Sequence, residues 1–231
     1  MEPECYAMAP LGVSFHTARI PLHEVSVEAL RRLGEAGLED VLGAVRLLAT
    51  APLHSIVFAC TSGSFIGGKT YDERLIAAMQ QACPGIPVTT TSTALVAGLG
   101  AVGARRVVVA APYPHEITAR AADYLRERGF TVAATSSLNL TSDHDIGFTP
   151  PSVVVEQVLA LDRPEADAVV ICCTNLRTAA ILEDLEARLG KPVVSAIQAS
   201  VWHALRLAGI ADPVLGYGRL LTVSSPAQVR A

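Results

Sequence analysis

Residues 85–103, GIPVTTTSTALVAGLGAVG, decide the fold, because residues 190–209, GKPVVSAIQASVWHALRLAG, repeat them. Laid together, Gly85 meets Gly190, Pro87 meets Pro192, Val88 meets Val193 and Ala94 meets Ala199. Each copy reads as a Gly/Pro turn, a short β-branched run and then a helix. Upstream of each copy an apolar strand ends in the same pair, Cys60-Thr61 in one half and Cys173-Thr174 in the other.

The rest of the chain alternates in the same way. Strand patterns fall at 13–20, 55–60, 86–91, 106–111, 130–136, 168–173 and 192–197, and helical patterns at 26–49, 71–82, 94–102, 116–128, 152–161, 178–189 and 200–208. Strand alternating with helix predicts an α/β fold, with parallel sheets flanked by helices and ligands bound beyond the carboxyl ends of the strands. Two halves related by approximate symmetry bring their strand ends together, placing Cys60 and Cys173 on opposite sides of a cleft. The expected lobes are 1–93 with 200–231, and 94–199.

Composition excludes several classes of function. With 51% apolar and 17% charged residues, the 231-residue chain can bury a sizeable core. The longest apolar stretch, 94–104, is far short of the ~20 residues of a membrane span, and the start MEPECYAMAP lacks the pattern of a secretory leader. A net charge of -4 without a basic block argues against nucleic acid. Five irregularly spaced cysteines read as free thiols of a cytoplasmic protein. No Cys-x-x-Cys or His-Glu-x-x-His supports a metal site.

In VICCTN, residues 170–175, two cysteines are adjacent. Strand side chains alternate between faces, so Cys172 is assigned to packing and Cys173 to the cleft. Cys5 and Cys83 lack the repeated context and are also assigned to packing. Both Cys60 and Cys173 precede segments, TSGS and TNLRT, that open toward helices, where free N–H groups can hold a carboxylate and stabilise a thiolate. Thr61, Ser62, Ser64, Thr174, Asn175 and Tyr113, at the end of VVVAAPY, supply further donors.

A rival motif overlaps the first loop. Residues 63–70, GSFIGGKT, fit the phosphate-loop pattern, although DAVVICC in the second half ends in cysteine where a magnesium-holding Asp is expected. His16, His23, His54, His115, His144 and His203 are scattered without metal spacing, and Trp202 is assigned to packing between helices.

Together, FACTSGSFIGG, IPVTTTSTALVAGL, AAPY, the second Cys-Thr strand end and the terminal PxxGYGRLL resemble the maleate cis-trans isomerase and arylmalonate decarboxylase group of the aspartate/glutamate racemase superfamily. The resemblance runs over nearly the whole chain. It implies two pseudo-symmetric α/β lobes, each a mostly parallel sheet flanked by helices, with the active site between the lobes and chemistry without metal or cofactor. Racemases and isomerases of the group carry a cysteine on each lobe, whereas the decarboxylases have glycine at the first position. It also implies a strand and a Ser-, Asn- and Thr-rich loop ahead of a Met-Glu-x-Glu segment, so the first lobe is expected to lack its N-terminal strand.

The resulting expectation is an isomerase of a small dicarboxylate, maleate to fumarate, with Cys60 and Cys173 catalytic and Thr61, Ser62, Tyr113, Thr174 and Asn175 binding substrate. Alternatives are a two-cysteine racemase of an amino-acid-like substrate, an arylmalonate-type decarboxylase, a non-catalytic carboxylate-binding protein and a phosphate-loop NTPase. A homodimer is left open.

Overall fold

The computed structural model describes residues 1–22 and 24–224. The first half runs α1 (Glu2–Ala7), α2 (Val27–Gly34), α3 (Leu38–Leu48), β1 (Ile56–Phe58), α4 (Thr61–Phe65), α5 (Gly68–Ala82), β2 (Val88–Thr90) and α6 (Thr91–Ala101). The second continues with β3 (Arg106–Ala111), α7 (His115–Glu127), β4 (Thr131–Ser137), α8 (Asp143–Phe148), α9 (Pro151–Leu161), β5 (Ala168–Ile171), α10 (Leu182–Leu189), β6 (Val193–Ser195) and α11 (Ala196–Leu207). The 3-10 turns Ala179–Ile181 and Arg219–Thr222 complete it. Two parallel sheets result, one of β1 and β2 and one ordered β4-β3-β5-β6. In the larger sheet, β5 and all of β3 after Arg106 are buried, which is why they read as unbroken apolar runs rather than alternating ones.

The sequence repeat is a structural repeat. Gly85 and Gly190 both take positive φ, the left-handed conformation that glycine adopts without steric cost. The equivalent hydroxyls of Thr90 and Ser195 then cap α6 and α11 by accepting from the N–H groups of Thr93 and Gln198. The two helices pack against each other, with the Thr91 and Ser200 hydroxyls 2.8 Å apart. α11 also reaches the small sheet, where Thr89 Oγ1 lies 3.0 Å from His203 Nδ1 and Ser55 donates to the Ala204 carbonyl.

The halves meet a second time at α5 and α7. The buried Asp72 carboxylate accepts from the hydroxyls of Thr90, Thr93 and Tyr124 and pairs with Arg128 at 3.2 Å, so the charge is satisfied on every side. Trp202 is fully buried and donates from Nε1 to the Val223 carbonyl, and Cys5 and Cys83 are buried. The terminal GYGRLL is structural. Gly218 has a φ of 79° and leaves little room for a Cβ beside Gln198 and Glu186, whose side chains bond the Tyr217 carbonyl and the Arg219 N–H.

Three expectations are corrected. Residues 13–20 form no strand: β4, second in its lobe, pairs only with β3, and the first half has no described counterpart of β3, so alternation alone finds no ladder partner. The helix expected over 26–49 is two, broken at 35–37, where Glu35 caps α2 with φ -118° and ψ -101°. The strands expected to reach Cys60 and Cys173 end at Phe58 and Ile171. His23 and the last part of the expected first lobe, 225–231, lie outside the described residues. None of the described helices is long and apolar enough to cross a membrane.

Burial pushes the His203 pKa down from 6.5 to about 4, so the folded state holds a neutral imidazole where the unfolded chain binds a proton. Stability is therefore present above the unfolded pKa and lost as pH falls from 6.5 toward 4, by roughly 3 kcal/mol for this group alone. Urea unfolding of the wild type and of His203→Gln, which keeps a polar partner for Thr89, is expected to show a shallower acid loss in the variant.

Candidate active site

The two cysteine turns are built differently. Cys60 is the N-cap of α4, with extended backbone at φ -124° and ψ 104°, and its Sγ accepts from the Gly63 N–H at 3.4 Å. Glycine at 63 is required by close approach, since a Cβ there would lie 2.9 Å from the Cys60 sulfur. Cys173 follows β5 with a φ of 84°, one of two non-glycine residues with positive φ among those described. That reversal turns its side chain away from the line of the strand. Cys172, whose N–H still bonds the Ala110 carbonyl in the manner of a strand, points into the core and is 1% exposed. The separation of the two neighbours thus comes from a backbone reversal after the strand, not from alternation within it.

Several contacts fix the second turn. The Thr174 hydroxyl donates to the Ala59 carbonyl at 2.9 Å, tying the Cys173 turn to the residue before Cys60. Asn175 donates from Nδ2 to the Asp143 carbonyl at 2.8 Å, holding α8 over the turn. The Asn175 and Leu176 N–H groups and the Tyr113 hydroxyl lie near enough to the Cys173 sulfur to favour its thiolate. Tyr113 is buried, with its ring edge-on to Phe65 of α4 at 6.2 Å between centroids. The side chains of Thr174 and Asn175 each bond a protein carbonyl, which leaves the second amide N–H of Asn175 and the backbone N–H groups as donors at this turn.

Burial dominates the electrostatics. It pushes the Cys173 thiol up to about 11 and that of Cys172 to about 12, and it raises that of Cys60. At Cys60 the Gly63 N–H and the Ser62 hydroxyl oppose the shift, while the nearby Asp143 carboxylate adds to it; burial raises the Asp143 carboxyl as well. Cys60 in turn raises Cys173, which places the two thiols within electrostatic reach of each other. Tyr113 is raised well above its usual value by burial and by the cysteines beside it, so it acts as a donor. Thr61 and Ser62 are buried, and Thr61 Oγ1 has no hydrogen-bond partner among the described residues. A desolvated pocket with two thiols, a phenol, hydroxyls and convergent N–H groups suits thiolate addition or proton transfer beside a carboxylate.

Asp143 and α8 were not anticipated. Their signal was Ser142-x-x-Asp145, an N-cap pattern that the structure uses, since Ser142 Oγ accepts from the Asp145 N–H. The phosphate-loop pattern resolves otherwise. Gly63 lies inside α4, and the Glu127 carboxylate receives the Lys69 N–H at 2.7 Å and crowds Gly68, so the N-terminus of α5 already has its anion. A hollow of about 330 Å³ at Gly67–Thr70 and one of about 680 Å³ between residues 16–21 and α3 lie away from the cysteines. No group of three His, Cys, Asp or Glu able to hold a metal occurs among the described residues.

Comparison with known proteins places this geometry. The family model described as arylmalonate decarboxylase matches residues 1–221. A maleate isomerase of Nocardia farcinica is 32% identical over 217 residues, 92% of this chain and 85% of that protein. An arylmalonate decarboxylase of Bordetella bronchiseptica is 35% identical over 193 residues, 82% and 80% of the two chains. Among solved structures, a cysteine-to-serine mutant of the Nocardia farcinica maleate cis-trans isomerase with a covalently bound succinylcysteine intermediate superposes with a TM-score of 0.88 at 30% identity, covering 97% and 92% of the chains. A liganded double mutant of arylmalonate decarboxylase, glycine to cysteine and cysteine to serine, gives 0.81 at 33% identity, covering 86% and 84%.

Thr174→Val keeps the side-chain volume and strands the Ala59 carbonyl, which is expected to cost about 1–3 kcal/mol of stability and to lower turnover by loosening both cysteine turns. Lys69→Ala, remote from the cysteines, is expected to leave turnover within about twofold. Denaturant melts and steady-state rates on the same preparations check both.

Proposed function

The chain belongs to the arylmalonate decarboxylase family, and on that premise we propose that it is a maleate cis-trans isomerase working through Cys60 and Cys173. The observation that carries this reading is the presence of both cysteines on apposed turns. In the decarboxylase double mutant, the glycine and the cysteine that were exchanged are separated in sequence by the same interval, to within one residue, as Cys60 and Cys173. That decarboxylase thus has glycine where this chain has Cys60. The succinylcysteine of the isomerase mutant is the adduct expected when a thiol adds across maleate.

In the proposed cycle, the Cys60 thiolate forms a bond to one alkene carbon, and the π pair moves to the neighbouring carbon as an enediolate on its carboxylate. Thr61, Ser62 and the backbone N–H groups near Cys60 and Cys173 hold the carboxylates. Cys173 donates its proton to the carbanionic carbon and recovers it after rotation about the single bond. The carbon-sulfur bond then breaks, returning the pair to the alkene as fumarate and the thiolate to Cys60. A two-cysteine racemase would use the same pair as acid and base, and the substrate decides between the two. The five free thiols fit a reducing compartment, which we take to be the cytoplasm.

Cys60→Ser and Cys173→Ser are each expected to lose at least about a hundredfold in maleate turnover, because a hydroxyl is scarcely ionised at neutral pH. Cys172→Ala is expected to keep most activity. With both site thiols raised by burial, kcat/KM should climb as pH rises above neutrality. Loss of maleate absorbance with fumarate identified by chromatography, beside polarimetry on aspartate and glutamate, checks the assignment; racemisation without fumarate would replace it.

A further inference from the structure

From α1, distant in sequence from both cysteines, Glu4 reaches the Cys173 turn. Its Oε1 accepts from the Thr178 N–H at 2.8 Å and the Ala179 N–H at 2.6 Å, the two donors that begin the 3-10 turn after the TNLRT segment. Its Oε2 is buried and has no partner among the described residues. A carboxylate half satisfied in a buried place is a costly arrangement, and what it returns is a grip on the stretch of chain that its two short bonds hold.

The turn shows what that is. Between Cys173 and Ala179 the chain is gripped on one side by Thr174 on Ala59 and on the far side by Glu4, with Arg177 held between by the Phe148 and Thr149 carbonyls. The N–H groups near the Cys173 sulfur, at Asn175 and Leu176, lie between these grips. Cys173 itself has a φ of 84°, so the chain reverses there before it runs on to the Glu4 grip. We propose that Glu4 is a positioning residue for Cys173, fixing the end of its turn so that the Asn175 and Leu176 N–H groups stay close to the sulfur. The inference rests on the reading of Cys173 as a working thiol, but its test does not require maleate to be the substrate.

The test is alkylation by iodoacetamide at about pH 8, where the rate follows the thiolate fraction, with Cys173 labelling read by mass spectrometry relative to Cys60 in the same molecule. Glu4→Ala loses both bonds, and Glu4→Asp is too short to make them together; each is expected to lower the Cys173-to-Cys60 ratio at least about threefold, half a pKa unit. Glu4→Gln keeps an acceptor oxygen in place and is expected to stay within about twofold of the wild type. Circular dichroism identifies folded variants, and if Glu4→Ala does not fold, the Asp and Gln pair decides. A ratio unchanged or increased in Glu4→Asp would overturn the proposal, since a purely structural brace would lower the melting temperature and open the turn without weakening the thiolate. A Gln variant as impaired as the Asp variant would also overturn it, because charge rather than grip would then be responsible. If maleate is turned over, kcat in Glu4→Asp should fall with KM within about twofold; if it is not, the labelling ratio stands by itself.

Discussion

The hydrogen bond from the Thr174 hydroxyl to the Ala59 carbonyl is the point on which the two halves of the molecule agree. Each thiol is set locally, Cys60 by the cap of α4 and Cys173 by the reversal after β5, while Phe65 against Tyr113 and Glu4 on the Thr178 and Ala179 N–H groups add contacts across the halves. Without a direct tie between those turns, the distance between the thiols would follow every small adjustment of α6 against α11 and of α5 against α7. A threonine here satisfies a half-buried carbonyl and ties the two cysteine turns together with the same atom.

That spacing matters because the site contains no lysine or arginine among the side chains described as bearing on either thiol. Stabilisation of negative charge falls to N–H groups and hydroxyls whose directions are fixed before a reactant arrives, which is where desolvation helps rather than hinders. The same dryness that holds the thiols protonated would strengthen each donor's interaction with an enediolate. Asp143 works against this by placing a second acidic group near Cys60, and burial answers by raising its own proton affinity.

The sequence carried the fold to the extent that it carried periodicity. The turn, strand and helix of 85–103 and 190–209 became β2 with α6 and β6 with α11, and Cys60 and Cys173 came to lie on facing turns. Residues 13–20 had the alternation of a strand but no edge to join, and pairing is a property of the neighbour, invisible in the segment itself. The bonds of Thr174 and Asn175 to the Ala59 and Asp143 carbonyls were not legible for a related reason: a hydroxyl or amide at a strand end has the same sequence signature whether or not it meets a carbonyl. Glu4 and Asp143 were hidden because their contacts are long in sequence, joining α1 to the 3-10 turn at Ala179–Ile181 and α8 to Cys60.

The left-handed backbone at Cys173 sets folding and chemistry against each other at a single residue. A side chain there costs on the order of 1 kcal/mol that glycine would not, so any selection for heat resistance, natural or in the laboratory, pulls this position toward glycine. A glycine would relax the backbone and delete the thiol in one step. Programmes that raise robustness by smoothing unfavourable dihedrals must therefore leave this one alone, and gains have to be sought in the helices, where no reacting atom depends on the strain.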